Sequence, residues 1–338
     1  MIPFSYERAG DADGAVAAVA SRPGAVFLAG GTNLVDRMKL GVESPDLLVD
    51  VTRLPYDGIE ELHADGRGGL RVGAGVRNSD LAADPRVRDR YPALSQALLS
   101  GASGQLRNLA TTGGNFLQRT RCVYFQDVTT PCNKREPGSG CSALGGYTRY
   151  HAILGASPHC VAVHPSDMAV AMAALDAVVQ VQGSSGPRSV PAAELHRLPG
   201  DDPSRDTVLE HGDLITAVDL PATAMAARST YRKVRDRASY AFALISVAAA
   251  VELDDASAVA DVRIAFGGVA HKPWRATVAE DALRGERPTD EAVRAAADAE
   301  LDAAEPLEGL RSGNAFKIPM ARNTLVAALR DLTREDAR

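Results

Sequence analysis

At 338 residues, with 45% hydrophobic and 24% charged side chains, the chain holds apolar material for more than one core and excludes a disordered protein. A net charge of -6 at pH 7 leaves no basic footprint for a phosphate polymer, so nucleic acid is excluded as a partner. No stretch approaches the roughly 20 apolar residues of a membrane span, and MIPFSYERAGDADGAVAAVA lacks a basic leader, a long apolar run or a twin arginine; the expectation is a cytoplasmic protein without membrane insertion, or a periplasmic one if it travels folded on a partner's signal.

In chain order, AVFLA at 25–29 predicts a short buried strand, GGTNL a tight turn and VDRMKLG a helix ending at Gly41, with LLVDV at 47–51 the next strand. This order makes a first α/β unit. GLRVGAG at 69–75 predicts another strand, Ser79 the cap of a helix through DLAAD, and ALSQALLS a helix reaching Gly101. CVAVHPSDMAVAMAALDAVVQVQG predicts a strand, a turn, a helix from about Ser166 and a strand from about Ala177. The proline-, glycine- and acid-rich HRLPGDDPSRDTVLEHGD separates this region from LITAVDLP at 214–221. STYRKVRDRASYAFALISVAAAVEL and VADVRIAFGGVA then predict long antiparallel strands, or a strand with a buried helix, before three helices near 274–284, 290–303 and 319–334. The tail from about residue 224 is thus expected to be an antiparallel sheet carrying helices.

LAGGTNL at 28–34 puts two glycines at the end of an apolar strand. Glycines let backbone approach a ligand closely, and successive N–H groups at a helix start form an anion nest. Alone, such a segment is most often a plain strand-to-helix turn. A second turn of the same type, RNLATTGGNFLQ, offers Thr111, Thr112, Gly113, Gly114 and Asn115, and two such loops can clamp the two phosphates of a dinucleotide. In HPSDMA, Asp167 can cap a helix or meet a ribose or ring nitrogen; capping is the simpler role.

All four cysteines, Cys122, Cys132, Cys141 and Cys160, fall within 39 residues of polar, Gly/Pro-broken sequence, separated by nine, eight and eighteen residues. Without a signal peptide such clustering points to metal rather than disulfides. Zinc sites usually pair ligands at close spacing, and no CxxC occurs; wide spacing suits a four-iron cluster taking one thiolate per iron. Zinc stays open, with His151, His159 or His164 in place of one thiol, as does a set of unrelated buried cysteines. Arg119, Arg121, Lys134 and Arg135 can offset thiolate charge or form a solvated face. No Ser-His-Asp set, carboxylate pair or nucleophilic cysteine motif provides acid-base or covalent chemistry.

AGGTNLVDRMKLG, SGQLRNLATTGGNFLQRTRC, PCNKREPGSGC, HPSDMAVAMAALDA, YRKVRDRASYAFALISVAAA and GGVAHKPWRATVAE run in order through essentially the whole chain. Together they resemble the flavin-binding subunit of molybdenum hydroxylases, the xanthine dehydrogenase group, and within it the aldehyde oxidoreductase branch. The resemblance implies an α+β fold: a two-subdomain FAD-binding domain of the vanillyl-alcohol oxidase (PCMH) type over 1–223, then a C-terminal antiparallel sheet with helices over 224–338, as in CO dehydrogenase flavoproteins. The subdomains would span about 1–57 and 58–223, with a cysteine insert over about 119–162.

The resemblance further implies FAD, with its pyrophosphate on Leu28, Ala29, Gly30, Gly31, Thr32, Asn33 and Leu34 and on Thr111, Gly114 and Asn115. Asp167 would lie near the adenosine or flavin edge, and Gly101 and Ala102 beside the isoalloxazine. Ile215 and Lys233 would pack and pair with the cofactor, though core packing and a surface ion pair also account for them. It implies a 4Fe-4S cluster on Cys122, Cys132, Cys141 and Cys160, as in this branch and in hydroxybenzoyl-coenzyme A reductases, whose spacings differ. The partners would be a molybdenum-cofactor large subunit, which hydroxylates an aldehyde or heterocycle, and a 2Fe-2S small subunit. This chain then carries no catalytic residue and passes electrons to an external acceptor. The alternatives are a stand-alone FAD oxidoreductase and a zinc-stapled interaction module without cofactor.

Overall fold

The computed structural model describes residues 1–62, 68–311 and 313–334; the end of the expected C-terminal domain, 335–338, lies outside them. The first sheet holds β1 (Ser5–Arg8), β2 (Ala25–Leu28) and β3 (Leu47–Asp50), all parallel with β3 central. Parallel neighbours need crossovers, supplied by helices Ala12–Ala20 and Leu34–Leu40. Asp11 caps the first by accepting from the Gly14 N–H at 2.7 Å, and Gly41 closes the second at φ 73°. β1 and its helix stand outside the sequence expectation because SYER shows no apolar alternation. The strand is exposed throughout, and its backbone pairing to β3 is what defines it.

The second sheet comprises β4 (Ile59–Leu62), β5 (Gly69–Gly73), β6 (Val178–Gly183), β7 (Gly186–Pro191) and β8 (Leu214–Leu220), antiparallel in the order β4-β5-β8-β6-β7. LITAVDLP is therefore the centre of this sheet. Leu70, Val72, Val179 and Val218 share its core with Leu94 and Leu98 of helix Pro92–Ser100 and Met168 and Met172 of helix Asp167–Ala174. Two expectations are corrected. CVAVHP is not a strand: its backbone is satisfied piecemeal, Val161 O by the Ala152 N–H at 2.8 Å and the His164 N–H by Ala270 O at 3.0 Å. Helix Asn78–Ala83 has Arg77 at its N-cap, while Ser79 lies inside it and bonds Asp80 at 3.3 Å.

The third sheet, β9 (Ser229–Val234), β10 (Ile245–Leu253), β11 (Val259–Gly267) and β12 (Trp274–Arg275), is antiparallel in the order β12-β11-β10-β9. ISVAAAVEL is thus a strand, and its unbroken apolarity has a two-sided cause. Val247, Ala249 and Val251 enter one core with Ala321, Leu325 and Leu329 of helix Lys317–Thr333, whereas Ala248 enters the core of the second sheet. A sheet buried on both faces loses the alternation that marks a half-buried strand. Helices Thr277–Leu283 and Asp290–Leu301 complete this layer.

Candidate cofactor sites

The two glycine turns touch. β2 ends at Leu28, Gly31 turns the chain at φ 71°, and a Cβ on Gly30 would stand 2.0 Å from the Leu109 carbonyl oxygen and 3.2 Å from Ala110 Cα. Gly30 is therefore required because the backbone leading into the second turn lies against it. Asn33, at the N-cap of helix Leu34–Leu40, does not cap that helix; its Oδ1 accepts from the Arg119 peptide N–H at 3.0 Å and from the Arg37 guanidinium. In the second turn Thr111 Oγ1 accepts from the Gly114 N–H at 3.3 Å, Thr112 Oγ1 donates to Val76 O at 3.0 Å, and Asn115 Oδ1 accepts from Ser166 Oγ at 2.7 Å. Closely apposed glycine backbones and a helix start without a side-chain cap suit a pyrophosphate, which needs near approach and N–H donors.

A second group gathers around Asp167. Ser166, not Asp167, caps helix Asp167–Ala174 by accepting from the Ala169 N–H at 2.9 Å. This frees Asp167 to accept from Tyr231 Oη at 2.5 Å and Lys233 Nζ at 2.7 Å. Lys233 also donates to Ser100 O at 3.2 Å and Arg235 to the same oxygen at 3.0 Å, placing two cations at the C-terminus of helix Pro92–Ser100, where the dipole favours them. A Cβ on Gly101 would lie 3.1 Å from Asp167 Oδ2, and Ala102 follows at φ 52°, a left-handed conformation costly for a residue with a side chain. Burial, reinforced by the Asp167 carboxylate, pushes the Tyr231 hydroxyl well above its ordinary value, so it stays a neutral donor. Sequence reading missed Tyr231, yet its spacing of two from Lys233 puts both on one face of β9. Ile215 is buried in β8, opposite Val181 within the core of the second sheet.

The cysteine loop is a third group. Cys132 and Cys160 are buried, Cys122 and Cys141 half-buried, all free thiols, and Cys132 and Cys141 face each other across an antiparallel bridge. Burial pushes Cys122 up to about 12, with Cys160 and Cys132 adding to it. Burial likewise pushes Cys160 up to about 11, with Cys141 and Cys132 adding and Lys134 opposing. Among the described residues no group of three or more His, Cys, Asp or Glu closes up as a single-ion site does. His151 Nε2 lies 3.2 Å from Cys122 Sγ, whereas His159 faces Asp201 at 3.7 Å and His164 packs on His196 with ring centroids 4.0 Å apart.

A polar chain joins this loop to the first glycine turn. Arg119, whose N–H holds Asn33, donates Nε to Asp206 Oδ2 at 2.7 Å and a terminal nitrogen to Glu43 at 3.1 Å; buried Lys134 donates to Asp206 Oδ1 at 2.5 Å and Pro203 O at 2.8 Å. Burial alone would raise the Asp206 carboxyl, but Arg119 and Lys134 overrule it and hold it far below the usual carboxylate range. Asp206 comes from the stretch that sequence reading treated only as a separator. Of the other loop cations, Arg121 approaches Asp36 at 3.5 Å and Arg135 donates to Tyr124 O and Phe125 O at 3.0 and 2.7 Å. Behind the loop, Asn314 Nδ2 donates to His151 O and Ala152 O, each at 3.1 Å, and Lys317 Nζ to His151 O at 2.8 Å and Gly268 O at 2.7 Å.

These three sheets and paired glycine turns define a two-part flavoprotein architecture. Residues 2–223 match the FAD binding domain in molybdopterin dehydrogenase and residues 229–332 the CO dehydrogenase flavoprotein C-terminal domain. The chain belongs to this family, the FAD-binding subunits of the molybdenum hydroxylases. It is 51% identical over 330 residues to the aldehyde oxidoreductase FAD-binding subunit PaoB of Escherichia coli strain K12, covering 97% of this chain and 98% of that one. It is 29% identical to the glyceraldehyde dehydrogenase medium chain of Sulfolobus acidocaldarius, over 86% of this chain and 84% of the relative. The solved carbon monoxide dehydrogenase of Hydrogenophaga pseudoflava shares the fold at a TM-score of 0.74 and 29% identity, with 98% of both chains covered. The expected α+β class, with an FAD-binding domain followed by an antiparallel sheet with helices, is borne out.

Proposed function

We propose that this chain is the electron-transfer subunit of a three-subunit molybdenum-containing aldehyde oxidoreductase. A large subunit with the molybdenum cofactor hydroxylates the substrate, a small 2Fe-2S subunit delivers the electrons, and this chain passes them to an external acceptor. What carries the reading is four free cysteines gathered in one loop of a chain that is 51% identical, nearly end to end, to an aldehyde oxidoreductase FAD-binding subunit. FAD supplies the redox chemistry, taking electrons and passing them on singly or in pairs.

The residues of this chain bind and orient. Leu28 to Leu34 and Thr111, Gly114 and Asn115 hold the pyrophosphate; Gly101, Ala102, Asp167, Ile215 and Lys233 set the flavin and its edge. Cys122, Cys132, Cys141 and Cys160 take a 4Fe-4S cluster. Cys132 and Cys141 face each other across a strand bridge, and a multi-metal centre would deprotonate Cys122 and Cys160, which burial now keeps neutral. The same reading divides the chain at residue 223, with subdomains meeting near residue 57 and the cysteine insert over about 119–162; the separate sheets support it. No helix among the described residues is long and apolar enough to cross a membrane, in keeping with a cytoplasmic complex or one exported folded on a partner's signal.

Anaerobic purification of the complex tests the reading. Flavin, iron and labile sulfide bound to this chain, with aldehyde turnover only when the large subunit is present, are expected. Turnover by this chain alone would assign a stand-alone oxidoreductase, and a colourless zinc protein the interaction module.

A further inference from the structure

Residues 196–208, HRLPGDDPSRDTV, form neither helix nor strand, yet their two ends lie side by side. The Val208 N–H donates to Leu195 O and the Arg197 N–H to Asp206 O, both at 2.9 Å, and between these bonds His196 and Thr207 face each other in an antiparallel bridge. Backbone pairing therefore sets His196 and Asp206 on neighbouring rungs. His196 is buried, its ring stacked on Phe116 with centroids 6.3 Å apart and tilted against His164. An aromatic hydrocarbon would pack there as well. What the imidazole adds is a donor: Nε2 lies 2.8 Å from Phe116 O, and since a carbonyl can only accept, Nε2 carries the hydrogen. Phe116 is fully buried and ends helix Thr112–Phe116, so its carbonyl is one that the helix cannot pair by itself. Left unpaired, a buried carbonyl is costly.

That helix opens on the second glycine turn, and Arg119 follows shortly after its end. The Arg119 guanidinium is held by Asp206 at 2.7 Å, and the Arg119 peptide N–H holds Asn33 of the first turn at 3.0 Å. The ladder thus grips residues 116–119 at both ends: His196 at the carbonyl where the second turn's helix stops, Asp206 at the side chain of the residue that touches the first turn. Asp206 alone would fix only the far end and leave the helix end free to shift. We propose that His196 is a positioning residue for FAD, which together with Asp206 holds the exit of the second glycine turn and so keeps the two turns in register for the cofactor. This rests on the pyrophosphate reading above. It gives the proline- and acid-rich segment a task that its composition, that of a linker, does not suggest.

The test uses the assembled complex, stripped of flavin. Amide hydrogen exchange of the wild type is measured first, with and without added FAD, and protection of residues 29–34 and 111–115 is expected. FAD that binds without protecting them overturns the pyrophosphate reading, before any variant is made. Three variants follow: His196→Phe keeps the ring contacts but lacks the donor, His196→Met lacks both, and His196→Gln keeps an N–H donor. Without FAD, His196→Phe and His196→Met are expected to exchange faster over residues 112–119, while helix Lys317–Thr333, which packs in a separate core, keeps the wild-type rate. FAD affinity, followed by flavin fluorescence quenching, is expected to fall about tenfold in both, the size of one hydrogen bond. His196→Gln is expected to restore both readouts. Wild-type affinity in a folded non-donor variant, or a His196→Gln no better than His196→Phe, overturns the proposal and leaves the pyrophosphate reading standing. Exchange that rises equally in helix Lys317–Thr333, or failure of both non-donor variants to fold, assigns a general stabilising role and overturns it too.

Discussion

Replacing Gly30 by alanine tests whether apposition of the two glycine turns makes the flavin site. The added methyl would sit 2.0 Å from the Leu109 carbonyl oxygen and 2.8 Å from its carbon. Both are backbone atoms, so no side chain can swing aside and the turns must separate. Overpacking of this kind costs about 1–3 kcal/mol. If that displacement falls on the pyrophosphate cradle, FAD affinity drops roughly 5- to 150-fold at 1.4 kcal/mol per decade. Flavin fluorescence quenching on adding FAD to deflavinated protein measures this directly. Gly104→Ala is the control, since a Cβ there meets nothing within 4 Å. Gly30→Ala protein that binds FAD as tightly as wild type would refute the argument; a loss shared equally with Gly104→Ala would refute it too.

Asp206→Asn leaves Lys134 and Arg119 facing a neutral amide. Breaking a buried pair costs about 3–5 kcal/mol; with the Asp206 side chain 31% exposed we expect the lower end, about 3 kcal/mol, read as a lowered unfolding midpoint and faster flavin loss on dilution. Because the folded carboxyl is held below its ordinary value, its contribution is fully present above about pH 4 and is lost as pH falls through the depressed folded value. Flavin release on acidification below about pH 4 should therefore be steeper in wild type than in Asp206→Asn. Tyr231→Phe removes one hydrogen bond to Asp167 while Lys233 remains, for about 1.5 kcal/mol and a thermal midpoint lower by a few degrees. Ala102→Gly relieves a left-handed φ and should stabilise the free protein by about 1 kcal/mol in denaturant titration; a destabilised variant would show that Ala102 is not strained.

Elements that announce themselves in the sequence do so through the chemistry of their ends. Helix Leu34–Leu40 is bracketed by a glycine turn and by Gly41, and helix Asp167–Ala174 by Ser166, so both are legible from local chemistry. β1 is not, because an exposed edge of a parallel sheet needs only backbone, and SYER would be equally stable in a loop until β3 is placed beside it. β10 is ambiguous for the opposite reason. Val247 and Ala248 are both apolar because they face different cores, and an apolar run buried on two sides reads equally well as helix or strand.

The same contrast governs the sites. Glycine turns and clustered cysteines are local, so Gly30, Gly114 and Cys122 stand out unaided. What makes them act together is not local: Arg119 links Asn33 to Asp206, 87 residues further along the chain, and Lys317 reaches His151 across a separation of 166. Such partners carry no spacing rule, since a buried polar group is chosen against whatever acceptor or charge the fold later sets opposite it. Asp206 sits in a segment whose prolines and acids look like a linker, and becomes a hub only when Lys134 and Arg119 arrive from the cysteine loop. It follows that the first glycine turn and the cysteine loop share one electrostatic frame, in which disturbing Asp206 disturbs both. A variant that freed the loop while leaving flavin affinity untouched would place the two sites in separate frames.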